Sequence, residues 1–164
     1  MAFDAYIKIE GIPGEALDAK HKDWIEIKAY NFGLGQEISD TASSAGGAAV
    51  GRAHFSDFHI TKYVDKASAK LFETCAKGTH IPKVVLHVMR AGGDQQKYLE
   101  ITLEQVLIST FTHSASTDGD LPVENFTLNY AKIKTVYTQQ KRSDGQGGGN
   151  INGGWDRSAN KAYA

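Results

Sequence analysis

The chain has 164 residues and a formal net charge of -1, with acidic and basic side chains spread along it, so nothing predicts attraction to nucleic acid or to an anionic membrane surface. The length fits one domain, residues 1–164, whose core needs no staples, and the single cysteine, Cys75, excludes an internal disulfide. No apolar run approaches the roughly 20 residues that span a bilayer, so no membrane insertion is expected.

Phe3, Ala5, Ile7 and Ile9 alternate with Asp4, Tyr6, Lys8 and Glu10, the period of a half-buried strand. The opening is therefore read as strand rather than signal peptide, and any export is expected to bypass the general secretory route. Gly11-Ile-Pro-Gly14 ends that strand and a loop through Ala16 to Lys22 follows. Trp24 to Phe32 predicts a second strand with apolar groups on both rows: Ile25, Ile27 and Ala29 against Trp24, Tyr30 and Phe32. Residues 35–51 are Gly/Ala/Ser-rich with little periodicity, longer than most connections, which reads as a functional arm or a disordered segment.

Ala53 to Lys62 returns to strand and leads into the one clear helical pattern, Asp65 to Gly78. Asp65 or Ser68 is expected to cap its start and Gly78 to stop it, and Leu71, Phe72, Cys75 and Ala76 are read as its core stripe. Cys75 is then a small core hydrophobe. Lys83 to Arg90 carries apolar residues on both rows, and Ala91-Gly-Gly-Asp94 signals a hairpin. On the return arm the apolar spacing switches parity between Leu103 and Val106, which predicts a bulge or bend near Glu104-Gln105. After a turn at Thr117 to Pro122, Val123 to Gln139 is a long strand. Residues 143–164 are read as a flexible glycine-rich tail, interrupted by a Trp155 that docks somewhere.

Short-spaced strands without helical crossovers predict a mainly β chain, an antiparallel barrel or sandwich with one inserted helix. Several strands carry apolar groups on both rows, which predicts self-association. Six histidines raise the question of a metal or acid-base site. On a strand His54 and His59 point to opposite faces, leaving only Asp57 and His59 together, while His21, His80, His87 and His113 are scattered. No nucleophile motif accompanies them. Gly33-Leu-Gly35 lacks the remainder of a dinucleotide fingerprint, and Gly147-Gly-Gly149 lacks the Lys-Ser/Thr of a phosphate loop. No catalytic, metal or cofactor residues are assigned. The row Asn125, Thr127, Asn129, with Asn31 between Tyr30 and Phe32, offers small uncharged hydrogen-bonding groups. It suits a wetted surface for many partners, or an ordinary solvent face.

The order of segments is also familiar. Met-Ala-Phe-Asp-Ala-Tyr-Ile-Lys-Ile at the start, Phe58 to Ser68 before the helix, Cys75 near its end, Glu124 to Tyr130 with Tyr137, and Gly154-Trp155 together resemble the haemolysin-coregulated proteins, the tube subunits of bacterial type VI secretion systems. The resemblance implies a barrel similar to phage tail-tube proteins, forming homohexameric rings that stack into a hollow tube. It further implies sheath, spike and effector proteins as partners, effectors carried in the lumen, and assembly in the cytoplasm before export. By the same resemblance, Asn31, Asn125, Thr127 and Asn129 are lumen candidates. Ser43, Ser44, Gly46, Gly47, Val50 and Arg52 are candidates for the loop that reaches the next ring. The rival readings are a monomeric jelly-roll module that grips a ligand with residues 35–51, and a hydrolase using Asp57 and His59.

Overall fold

The computed structural model describes residues 2–39, 50–92, 95–141, 143 and 147–163. Its strands are β1 (Phe3–Ile9), β2 (Ile25–Ile27), β3 (Ala29–Asn31), β4 (Leu34–Gly35), β5 (His54–Phe55) and β6 (Phe58–Tyr63), then β7 (Ile81–Arg90), β8 (Lys97–Ser114), β9 (Val123–Gln140), β10 (Gly147–Asp156) and β11 (Lys161–Ala162). One helix, α1 (Ser68–Lys77), joins β6 to β7 and lies against β8. Every strand pairing is antiparallel.

The expected Trp24–Phe32 strand breaks at Lys28 into β2 and β3, and that break closes the barrel. β2 pairs with β1, while β3 pairs with β6, which pairs with β9; β8 and β7 complete the circuit back to β1. Closure removes free sheet edges from this part of the chain. The core within is aliphatic and aromatic: Ile7, Ile25, Phe58, Ile60, Leu86, Ile101, Phe126 and Leu128 are each at most 1% exposed.

The parity switch after Leu103 is a bend, not a register bulge. Pairing continues unchanged from Lys83–Glu104 to Ile81–Val106, and from Glu104–Lys132 to Val106–Tyr130. Yet the buried row changes parity in all three strands at that line, from Val84 to Ile81, Leu103 to Val106 and Ile133 to Tyr130. Gln105 sits there with φ 54°, opposite Pro82, which has no N–H to lose from the ladder. The register shift between β8 and β9 lies farther on, between Ile108 and Thr110.

Two expectations about α1 are corrected. Its buried line is Ala67, Leu71 and Thr74 with Cys75 half-buried, whereas Phe72 is 63% exposed and Ala76 faces outward. Residues 71 and 72 stand about 100° apart on a helix, so the barrel that takes Leu71 cannot also take Phe72. Phe72 instead sets its ring edge-on to Phe111, centroids 6.2 Å apart. Neither proposed cap covers the first turn: the Asp65 carboxylate accepts from Ala67 N–H and Ser68 Oγ accepts from Asp65 N–H, both at 2.9 Å, closing the turn before the helix. Gly78 does stop it, with φ 64° and N–H bonds back to the last turn.

Where a flexible tail is expected, residues 147–156 form β10, paired with β9 from Gly147–Gln140 to Asp156–Lys132. Here glycine permits close approach rather than looseness. A Cβ on Gly154 would stand 1.9 Å from the Tyr163 carbonyl oxygen and 2.8 Å from that of Ile133. Trp155 packs half-buried against the core.

Part of the surplus apolar surface is covered from within. Tyr30 and Phe32 stack on Phe58, with centroids 5.8 and 5.2 Å away, and the loop of residues 13–24 lays Ala16 and Trp24 over Tyr6 and Met89. What stays exposed is Leu34, Ile38 and Val50 on the arm, Tyr137 and Ile151 on β9 and β10, and the separate Phe3, Leu17, Phe72 and Leu121.

Candidate functional site

β3, β6, β9 and the second half of β8 lie side by side, and cross-strand partners share a face. Asn31 pairs with His59, His59 with Thr127 and Thr127 with Thr110, so these four form one row across the sheet. The next row is Ala29, Thr61, Asn125 and Thr112. All four lumen candidates, Asn31, Asn125, Thr127 and Asn129, therefore fall on one face outside the barrel core.

The polar groups of that face bond one another. Thr61 Oγ1 donates to Asn125 Oδ1 at 2.7 Å, and Thr127 Oγ1 lies 2.6 Å from both Ser109 Oγ and Thr110 Oγ1. Asp57 accepts from Ser109 Oγ at 2.7 Å and from Asn129 Nδ2 at 3.0 Å. Asn31, Asn125 and Asn129 are exposed, whereas Thr127 is buried beneath these neighbours and offers little to a partner. Among the described residues these two rows hold no Lys or Arg, and the carboxylate bonded to the patch is Asp57. The result is a wall of amides and hydroxyls in which Asp57 is bonded to Ser109 and Asn129. Among the described residues no three His, Cys, Asp or Glu side chains gather to hold a metal.

The arm leaves from this barrel as a β ribbon. Leu34 pairs with Phe55 and Gly35 with His54, Ile38 bridges to Val50, and Gly51 N–H donates to the Glu37 carbonyl at 2.9 Å. Gln36 also donates its amide to the Gly51 carbonyl. Of the arm candidates, Val50 is 69% exposed, and Arg52 donates to the Arg157 carbonyl at 3.1 Å. Ser43, Ser44, Gly46 and Gly47 lie outside the described residues. Between the ribbon and the β9–β10 sheet runs a groove of about 600 Å³, lined by Phe32, Leu34, Ala53, Phe55, Ile133 and Trp155 among others. On Phe55, which also lines this groove, the Arg157 guanidinium lies 5.5 Å from the ring centre; it lies 5.4 Å from that of Tyr130 and donates to the Tyr130 carbonyl at 2.7 Å.

The segment between β6 and α1 is organised by a buried charge that sequence reading passed over. Lys62 is 0% exposed; its Nζ reaches Glu124 Oε2 and Asp65 Oδ1, each at 2.9 Å, the Tyr63 carbonyl at 2.9 Å and Ser68 Oγ at 3.2 Å. Ser68 Oγ also donates to Glu124 at 2.9 Å, and His113 Nδ1 lies 3.2 Å from the other carboxylate oxygen. Burial alone would raise the Glu124 carboxyl, but the bonds from Lys62, Ser68 and His113 hold it below the usual carboxylate range. The signal was available: Lys62 falls on the row of Phe58 and Ile60, and Glu124 on the row of Phe126 and Leu128, so two opposite charges lie on core rows of two strands.

The histidines are not all scattered. His21 and His87 meet ring to ring, Nε2 to Nδ1, at 3.0 Å. His54 and His59 stay exposed on β5 and β6.

These elements have counterparts in known proteins. Residues 6–137 match the family model described as type VI secretion system effector, Hcp. The chain is 36% identical over 157 residues to protein hcp1 of Pseudomonas aeruginosa, covering 95% of this chain and 96% of that one. Among solved structures it superposes on one described as a type six secretion system protein with TM-score 0.93 and 32% identity, covering 99% of this chain and 100% of the other. It superposes on Hcp1 of Salmonella typhimurium with TM-score 0.81 and 31% identity, covering 99% and 100%. A barrel of this topology matched along nearly its whole length in both sequence and backbone leaves one assignment: the chain belongs to the Hcp family of type VI secretion proteins.

Proposed function

We propose that this chain is the building block of a type VI inner tube: six copies close into a ring, rings stack into a hollow tube, and the tube carries effector proteins and is itself exported. The observation that carries this reading is the wall of Asn31, His59, Asn125, Asn129 and their hydroxyl neighbours, polar, hydrogen-bonded and almost uncharged. A surface that must let unlike cargo pass needs hydrogen-bonding capacity without a strong field, since fixed charges would select some partners and repel others. In the ring these residues face the lumen. The exposed ribbon of Leu34, Ile38 and Val50 reaches the neighbouring ring, and Arg52 anchors its base. The protein works without catalysis or cofactor, assembles in the cytoplasm, and meets sheath, spike and effector proteins there.

The 600 Å³ groove beside Trp155 favours a second reading, a monomeric jelly-roll-like module that grips a ligand there. Size-exclusion chromatography with multi-angle scattering and negative-stain imaging separates the two. The tube reading expects a mass of six protomers and annular particles; a monomer at high concentration under every solution condition overturns it. Val50→Asp is expected to leave rings intact and abolish their stacking, and stacking that survives it removes the arm from the ring-to-ring contact.

A further inference from the structure

On the outer side of β1, β7 and β8, Tyr6, His87 and Glu100 stand in one cross-strand row. The loop of residues 13–24 folds over it, tied to itself by bonds from Gly14 N–H to the Asp23 carbonyl at 2.8 Å and from Ala16 N–H to the Trp24 carbonyl at 3.0 Å. Its contact with the sheet is an aromatic stack. The His21 ring lies flat on Tyr6, centroids 4.5 Å apart at 9°, and Trp24 packs on His21 at 4.8 Å and on His87 at 4.6 Å. Beneath this cover Tyr6 is 7% and Met89 2% exposed.

A polar chain threads the stack: Asp18 to His21 Nδ1 at 2.7 Å, His21 Nε2 to His87 Nδ1 at 3.0 Å, and His87 Nε2 to Glu100 at 3.1 Å. Protons can be counted along it. Each carboxylate contact needs an N–H on its ring, and the ring-to-ring contact needs a single N–H between two nitrogens. Three protons on four ring nitrogens satisfy all three bonds. A fourth places two N–H groups head to head at 3.0 Å in a site where His21 is 2% exposed.

We propose that His21 and His87 form an acid-opened latch, which holds residues 13–24 over Tyr6 and Met89 and releases them when both rings become fully protonated. The groups that face the pair are Tyr6 on β1, stacked on His21, Asp18 on the loop, bonded to His21, and Lys97 and Glu100 on β8, which act on His87 in opposite directions. Burial first, and then Lys97, push His87 down to about 4, so both rings are cationic together only in acid and the head-to-head contact is absent near neutrality. Release bares one aromatic and one thioether patch on the outside of the barrel, on strands other than those that carry the polar wall.

Met89 provides the readout. In the full-length protein, oxidation of Met89 by dilute peroxide is followed by peptide mass mapping at about pH 7 and about pH 4, beside hydrogen exchange of residues 13–24 corrected for intrinsic rates. The expected result is an oxidation rate rising about tenfold in acid, with exchange protection lost in 13–24 and kept in β6 and β9. His87→Gln, whose amide keeps a donor and an acceptor but cannot titrate, is expected to abolish that rise, and His21→Gln to do the same. His113→Gln, a histidine outside the stack, leaves it intact. Equal Met89 rates at both pH values in the unaltered protein overturn the latch, as does a rise that persists in either glutamine variant. Protection lost in β6 and β9 along with 13–24 also overturns it, since the whole barrel would then be opening.

Discussion

Replacing Lys62 with methionine tests the buried network most directly. The methionine fills nearly the same volume, so packing is retained, while the ammonium that bonds Glu124, Asp65, Ser68 and the Tyr63 carbonyl is gone. Glu124, 1% exposed, then keeps only Ser68 and His113 as partners for a charge it cannot bring to water. Breaking one side of a buried pair costs about 3–5 kcal/mol, because the remaining charge is left uncompensated. In a chain of this size that is roughly 10 °C in Tm. Urea unfolding followed by far-ultraviolet circular dichroism gives the number, with protomer concentration held fixed so that assembly does not move the midpoint. Adding Glu124→Leu to Lys62→Met removes the stranded carboxylate and is expected to recover a large part of the loss, a coupling of about 2 kcal/mol or more. A single-variant cost below about 1 kcal/mol, or a double variant whose loss is the plain sum of the two, would refute the claim that this buried charge organises the segment between β6 and α1.

The two faces of α1 should respond oppositely: Leu71→Ala is expected to cost about 2–4 kcal/mol and Phe72→Ser less than about 1, read from the same urea curves. Gly154→Ala drives a methyl into the Tyr163 and Ile133 carbonyls, so a loss of about 2 kcal/mol is expected, with hydrogen-exchange protection lost first at residues 161–163. Acid should weaken the fold through His87. Its native value, about 4, lies below the ordinary 6.5, so the unfolded chain takes up this proton first. The stabilisation is complete above pH 6.5, drains as pH falls toward about 4 and changes no further below it. After discounting for solvent screening the loss is about 2 kcal/mol, and His87→Gln should remove that part of the pH slope in urea midpoints.

How much of this was legible in the sequence follows from what each signal encodes. Period-two alternation put Asn125, Thr127 and Asn129 on one face of β9, and strand pairing alone was needed to bring Asn31 beside them. It did not reveal that Thr127 is covered, because cover comes from Ser109 and Thr110 on a neighbouring strand whose register shifts just there. The helix stop at Gly78 was readable from a local backbone preference, whereas the inward face of α1 was not. Two adjacent apolar residues compete for one direction, and the sheet beneath decides. Glycines 147–154 look the same in sequence whether they loosen a tail or admit a crowded backbone; the Tyr163 carbonyl distinguishes the two. His21 and His87 are 66 positions apart and meet through a loop with no periodicity at all, so no pattern pointed to the pair.

The bend shared by β7, β8 and β9 has a consequence for how such a chain can vary in length. Because all three strands turn at one line with their partners still matched, losing or gaining one residue beside Pro82, Gln105 or Ala131 would swap inside for outside along the remainder of that strand. A change in residue count at that line keeps inside and outside matched only where the neighbouring strands change with it.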